Sequence, residues 1–236
     1  MKNGFTLVEI SIGLVIIGLL IGGVIVAKSM IHAAELRSVG EDFQKYLTSF
    51  QAFRLKYNCI PGDCERASSF GLGVNGNGDN RIPWTNEGMR AWVHLANAGM
   101  VEGTYTGAGN PGNRLTPGVN TPKSKIVGAG FAIGSTSHTP LNPLNYKDFS
   151  RIENFFLFGR ESTASWYNAG ALTPIDARSI DEKLDDGDPD SGSILAYGSF
   201  AIGAGTNSGC VLNNAPGTTY ELTDPDLRCV LIMKID

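Results

Sequence analysis

The chain has 236 residues, a formal net charge of −4, 42% hydrophobic and 18% charged residues. That balance offers no basic excess for nucleic acid and supplies enough apolar material for one folded core. The 30 glycines point to many turns and long loops.

Residues 1–9 read MKNGFTLVE: one cation, Lys2, a small residue, Gly4, an aromatic one, Phe5, and a single acid, Glu9. From Phe5 to Ala27 Glu9 is the only charge. At ~1.5 Å per residue such a helix is about 35 Å long, enough to cross a ~30 Å hydrocarbon core. A secretory signal is cut after its apolar stretch. Here the small residue precedes the stretch, so a cut between Gly4 and Phe5 would keep the helix on the mature chain. An acid in such a helix costs roughly 3 kcal/mol at the bilayer centre and less near an end, which marks Glu9 as functional. The plain alternative is an acid that snorkels to the interface. The freed Phe5 amine would lie one helical turn from Glu9, and the amine of a neighbouring chain could pair with it.

The run Gly4-Phe5-Thr6-Leu7-Val8-Glu9 resembles the leader junction of the type IV pilin superfamily, which includes the pseudopilins of type II secretion. The resemblance covers about the first 30 residues. It implies a cut after Gly4 by a prepilin peptidase, N-methylation of Phe5, and Glu9 as the assembly glutamate. It also implies the partners: copies of the chain, other pilins or pseudopilins, an inner-membrane assembly platform, and lipid before assembly. The chain would cross the inner membrane once with its N-terminus cytoplasmic, then enter a periplasmic or extracellular filament. Residues 1–4 would be leader, 5–27 the membrane and filament-core helix, 28–57 its amphipathic continuation, and 58–236 an exported domain.

Gly13, Gly18, Gly22 and Gly23 punctuate the apolar helix, and Gly18-x-x-x-Gly22 suits close helix approach; glycine is also simply common in membrane helices. No proline occurs between Met1 and Asn58. Many members of the superfamily carry one late in this segment. The Gly22-Gly23 pair would supply a weak point instead, at ~1 kcal/mol per glycine. Leu36, Val39, Phe43, Tyr46, Phe50, Phe53 and Tyr57 then recur at alternating spacings of three and four, an apolar stripe meant for the folded domain. Asn58-Cys59-Ile60-Pro61-Gly62 is a stop signal.

Beyond it, helices are expected over Asn86–Ala98, with Met89, Trp92, Leu95 and Ala96 on one face, and from Thr173-Pro174, carrying Ile175, Ile180 and Leu184. Strands are expected over Ile126–Ile133, Ile152–Phe158, Ile194–Ile202 and Cys229–Ile235. Residues 103–122 read as a long irregular loop. The sum is an α+β chain: a long N-terminal helix, transmembrane then amphipathic, packed on a small antiparallel sheet domain with long loops. An exported location permits disulfides. Four cysteines allow three pairings, of which the local one, Cys59–Cys64 with Cys210–Cys229, is expected. The second bridge also resembles the disulfide-bounded C-terminal region of many type IV pilins. His32, His94 and His138 lack ligand spacing and read as surface or core-edge residues.

Two loops could take a hard cation. Asn75, Asn77 and Asp79 place oxygen side chains at alternate positions, Arg81 would add a carbonyl and Glu87 a closing carboxylate, as in an EF-hand-type calcium loop. Asn80 stands where glycine is usual, Glu87 comes one place late, and a pair of Asn-Gly turns is the simpler alternative. Residues 181–190 hold Asp181, Glu182, Asp185, Asp186, Asp188 and Asp190, which repel unless solvated or neutralised; an amphipathic helix ending at Asp-Asp-Gly is the favoured explanation. Major pseudopilins bind calcium in a C-terminal loop, so the resemblance favours calcium without assigning residues. No other cofactor is expected. No catalytic motif is present, so the chain does not read as an enzyme. The expected function is a structural subunit of a type IV pilus-like filament or a type II secretion pseudopilus. The alternative is a minor pilin acting as a binding or adhesion module at a filament tip, through its long loops.

Overall fold

The computed structural model describes residues 6–83, 86–108, 115–135, 154–161, 169–198, 209–213 and 216–235. One helix, α1 (Leu7–Tyr57), runs for 51 residues, about 77 Å at the standard rise. It starts at Thr6 and stops at Asn58, whose backbone is left-handed at φ 52°. It continues unbroken through Gly22-Gly23. From Thr6 to Ala34 every side chain except Gly13 is exposed. From Leu36 onward the stripe is buried: Leu36, Val39, Phe43, Tyr46, Phe50 and Phe53 all enter the core, and Tyr57 is half-buried against it.

Among the described residues, four strands form one antiparallel sheet: β1 (Ala129–Ser135), β2 (Asn154–Arg160), β3 (Ile194–Gly198) and β4 (Cys229–Lys234). Their order is β1-β2-β4-β3. Phe131 pairs with Phe158, Phe156 with Met233 and Leu195 with Ile232. β2 reads NFFLFGR, a nearly continuous apolar run, and a strand of that kind is buried on both faces. One face presents Phe131, Ile133, Phe156, Phe158, Leu231 and Met233 to α1 and α2 (Glu87–Asn97). The other presents Phe155, Leu157, Leu195, Tyr197, Val230 and Ile232, clustered with Met89 and Leu115. Tyr46 of α1 meets Trp92 and Phe131 edge-on, each at 5.1 Å between ring centres, and Phe43 meets Phe156 at 6.0 Å. Such pairs add roughly 0.5–1.5 kcal/mol each beyond area burial. The amphipathic half of α1 is thus a wall of the domain core.

The third helix, α3 (Pro174–Leu184), starts as the Thr-Pro pair indicates: the Thr173 hydroxyl accepts from the Asp176 amide, with Pro174 in the first turn. Its buried residues include Ala177, Ile180 and Asp181. Ile175, expected on that face, is 59% exposed, because the inward stripe runs 177-180-181-184 and Ile175 falls outside it. On α2, Met89, Trp92 and Leu95 are buried as expected, Ala96 is only half-buried, and His94 is fully buried. His94 therefore belongs to the core, not its edge. Its Nδ1 accepts from the Gly62 amide and its Nε2 donates to the Val74 carbonyl, both at 2.9 Å, so its polarity is consumed inside. β1 begins at Ala129 rather than Ile126, after a turn at Gly128 with φ 75°. β2 runs two residues past Phe158, and β4 ends at Lys234. Residues 151–153 and 199–208 lie outside the described residues, as does His138.

Candidate functional site

The first candidate is the start of α1. Gly4 and Phe5 lie outside the described residues; Glu9 lies within them. Thr6 and Glu9 form a capping box. The Glu9 amide donates to Thr6 Oγ1 at 3.2 Å, while the Thr6 amide and hydroxyl each donate to Glu9 Oε2 at 2.8 Å. A carboxylate in the first turn also meets the positive end of the helix dipole. Within one chain, Glu9 therefore holds the helix N-terminus, where the new amine would appear after a cut at Gly4. A Cβ added at Gly13, Gly18, Gly22 or Gly23 would meet nothing within 4 Å, so no contact among the described residues requires these glycines. α1 is long and apolar enough to cross a membrane.

The second candidate joins three elements beside α2. The Cys59–Cys64 disulfide closes the Pro61-Gly62 turn. Gly62 has φ 90°, and a Cβ there would come within 2.3 Å of the Glu87 carbonyl oxygen, so only glycine fits. The turn delivers Asp63, buried, to the loop that follows. Asp63 Oδ1 accepts from the Gly78 and Asp79 amides at 2.6 and 3.2 Å, and Oδ2 from the Asn80 amide at 2.7 Å. Asn80 is left-handed at φ 62°, a conformation asparagine tolerates better than most residues. Asn154 at the head of β2 ties the loop to the sheet, accepting from the Ile82 amide at 3.0 Å and donating to the Asn80 carbonyl at 2.9 Å.

Carboxylate oxygens of Asp63, Asp79 and Glu87 lie within 4.8 Å of one another. Like charges at that distance repel by roughly 3 kcal/mol per pair at an effective dielectric of 20. Burial, then the Asp63 charge, pushes Glu87 up to about 7, and burial raises Asp63 as well. Of the residues expected at a cation loop, the structure thus brings Asp79 and Glu87 together. The Asn75 carboxamide oxygen instead accepts from the Ser68 amide, Asn77 packs on Asp79, and the Arg81 amide donates to Asp79 Oδ1. Asp63 was not among the expected residues. Its signal is an acid fixed between a turn glycine and a bridging cysteine.

The acidic loop after α3 is hydrogen-bonded internally. Asp185 Oδ2 accepts from the Ser193 and Ile194 amides, and Asp186 from the Asp188 amide and the Ser191 hydroxyl. Asp181, fully buried, accepts from the Tyr220 hydroxyl at 2.8 Å, and burial pushes it up to about 7. Burial and a hydrogen bond to Asp190 raise Asp188. The second disulfide, Cys210–Cys229, ties residue 210 to the first residue of β4.

No curated protein and no solved structure matches the chain. The family model of the prokaryotic N-terminal methylation motif matches residues 1–25. With a long apolar helix behind it and an α+β domain beyond, that motif fits a precursor of the type IV pilin or pseudopilin kind.

Proposed function

We propose that the chain is a structural subunit of a type IV pilus-like filament or type II secretion pseudopilus. It would be cut between Gly4 and Phe5, methylated on Phe5 and assembled through α1 with copies of itself and with other pilins. Before assembly α1 holds the chain in the inner membrane; afterwards the domain stands on a periplasmic or extracellular filament. One observation carries this reading: from Thr6 to Ala27 the helix is apolar and exposed apart from Gly13, with one carboxylate, Glu9, in its first turn bonded back to the Thr6 cap. A surface of that kind needs lipid or neighbouring helices.

The Glu9 capping box suggests how the exchange works. In the single chain the carboxylate caps its own helix; in the filament it would pair with a neighbour's amine, exchanging a cap worth about 1 kcal/mol for a charge-assisted contact in a dry bundle. Glu9→Gln preserves capping-box chemistry and removes the charge; Glu9→Val removes both. Both chains should insert and be processed to a mass that begins at Phe5, and both should give little sheared filament. Normal filament from Glu9→Gln would reduce Glu9 to a cap. A mature chain beginning at Lys28 or Ala34 would remove the pilin reading.

A further inference from the structure

We propose that Asp63, Asp79 and Glu87 form a calcium site that pins the disulfide-closed turn, the loop at 75–82 and the start of α2 to one another. A cation with oxygen bonds of ~2.4 Å has ligand atoms at most ~4.8 Å apart across it, and these three carboxylates supply oxygens within 4.8 Å of one another. The chain places them there from three separate segments. Independently of that clustering, Glu87 is only 5% exposed and its Oε2 is buried with no hydrogen-bond partner. A buried carboxylate oxygen is normally paired, so this one is open to a ligand that the described residues do not supply.

Arg90 acts on Glu87 only as the weakest of the influences on its carboxyl, after burial, Asp63, the Asn77 amide and Asp79. Among the described residues, none of the three acids takes part in an ion pair. Arg90, one turn along α2, donates to the Asn75 carbonyl. Lone pairs remain for a metal: Glu87 accepts one amide, from Asn77 at 3.1 Å, and a carboxylate has about four acceptor positions. All-oxygen donors select a hard ion. An irregular loop with carboxylates of different length suits calcium's adaptable shell better than magnesium's strict octahedron. The site lies before the sheet in the chain, apart from the C-terminal loop that the pilin resemblance points to. It does not depend on the chain's role in a filament.

The test uses the full mature chain, oxidised, in detergent and stripped of divalent ions. Equilibrium dialysis against radioactive calcium should show one ion per chain, with a dissociation constant in the ~10⁻⁴–10⁻³ M range of extracellular modules. Asp79→Asn, at an exposed side chain whose bond to the Arg81 amide the carboxamide oxygen can keep, should weaken binding by about tenfold or more. Glu87→Gln should do the same while its melting temperature without calcium holds or rises, because a neutral side chain relieves the repulsion. Asp186→Asn should leave binding unchanged. The proposal is overturned by no binding up to about 10 mM calcium, by binding that survives both Asp79→Asn and Glu87→Gln, or by loss in Asp186→Asn alone.

Discussion

Replacing His94 by leucine isolates the contribution of a buried imidazole. His94 is fully buried and stacks on Phe53 at 6.2 Å between ring centres. It accepts one hydrogen bond and donates one, each at 2.9 Å, to backbone groups of the Cys59–Cys64 turn and of the loop at 74. Leucine fills the space and leaves the Gly62 amide and the Val74 carbonyl unsatisfied, at about 1–3 kcal/mol each, so the loss should be on the order of 4 kcal/mol. The same geometry sets a pH dependence. Because Nδ1 must accept, the folded protein favours the neutral ring, and burial lowers its pKa from 6.5. The unfolded chain then binds more protons just below 6.5, so this contribution is present above pH 6.5 and is lost as pH falls toward the folded value. A fragment starting at Lys28 lacks the all-apolar segment and should be soluble. Its urea unfolding, followed across about pH 5 to 8, should give a wild-type-minus-variant difference that shrinks on acidification. A difference below about 1 kcal/mol, or one that does not change with pH, would refute this account of His94.

Asp181→Asn should show the opposite slope. Its carboxyl is pushed up to about 7 by burial, so the folded wild type loses stability as pH rises from about 4 to 7, and the stability difference between wild type and variant should fall over that window and then level off. Phe50→Ala, at a side chain 2% exposed that meets Phe156 edge-on, should cost about 3–5 kcal/mol by urea titration; a cost below ~1 kcal/mol would mean that the helix is not a wall of the core. Non-reducing peptide mapping should return Cys59–Cys64 and Cys210–Cys229. The Cys210→Ser, Cys229→Ser pair, which opens a sequence separation of 19, should cost ~3 kcal/mol in the chain-entropy model. Four free thiols in exported protein would refute the pairing.

The parts of this molecule that were legible in its sequence are those set by short-range periodicity. A helix face is written at spacings of three and four, so the stripe from Leu36 to Phe53 could be read before any partner was known. Helix ends are written in one or two residues, and Asn58 and Thr173-Pro174 both mark them. The misses have one cause. Whether Ile175 faces in or out depends on where α3 lands, and the burial of His94 depends on a turn 32 residues earlier in the chain. Asp63 is the clearest case. Read locally, Asn75-Gly-Asn-Gly-Asp suggests a loop that supplies its own ligands in sequence order. In three dimensions the amides of residues 78–80 close around a carboxylate delivered 15–17 residues earlier by a disulfide-bonded turn. That carboxylate takes the place beside Asp79 and Glu87 which the linear motif assigns to Asn75. The Cys59–Cys64 bridge closes the turn that carries this carboxylate. A ligand set split between turn, loop and helix therefore ties any cation affinity to oxidation of that bridge: opening it should release Asp63 from the amides and weaken calcium binding together with the fold of residues 75–82.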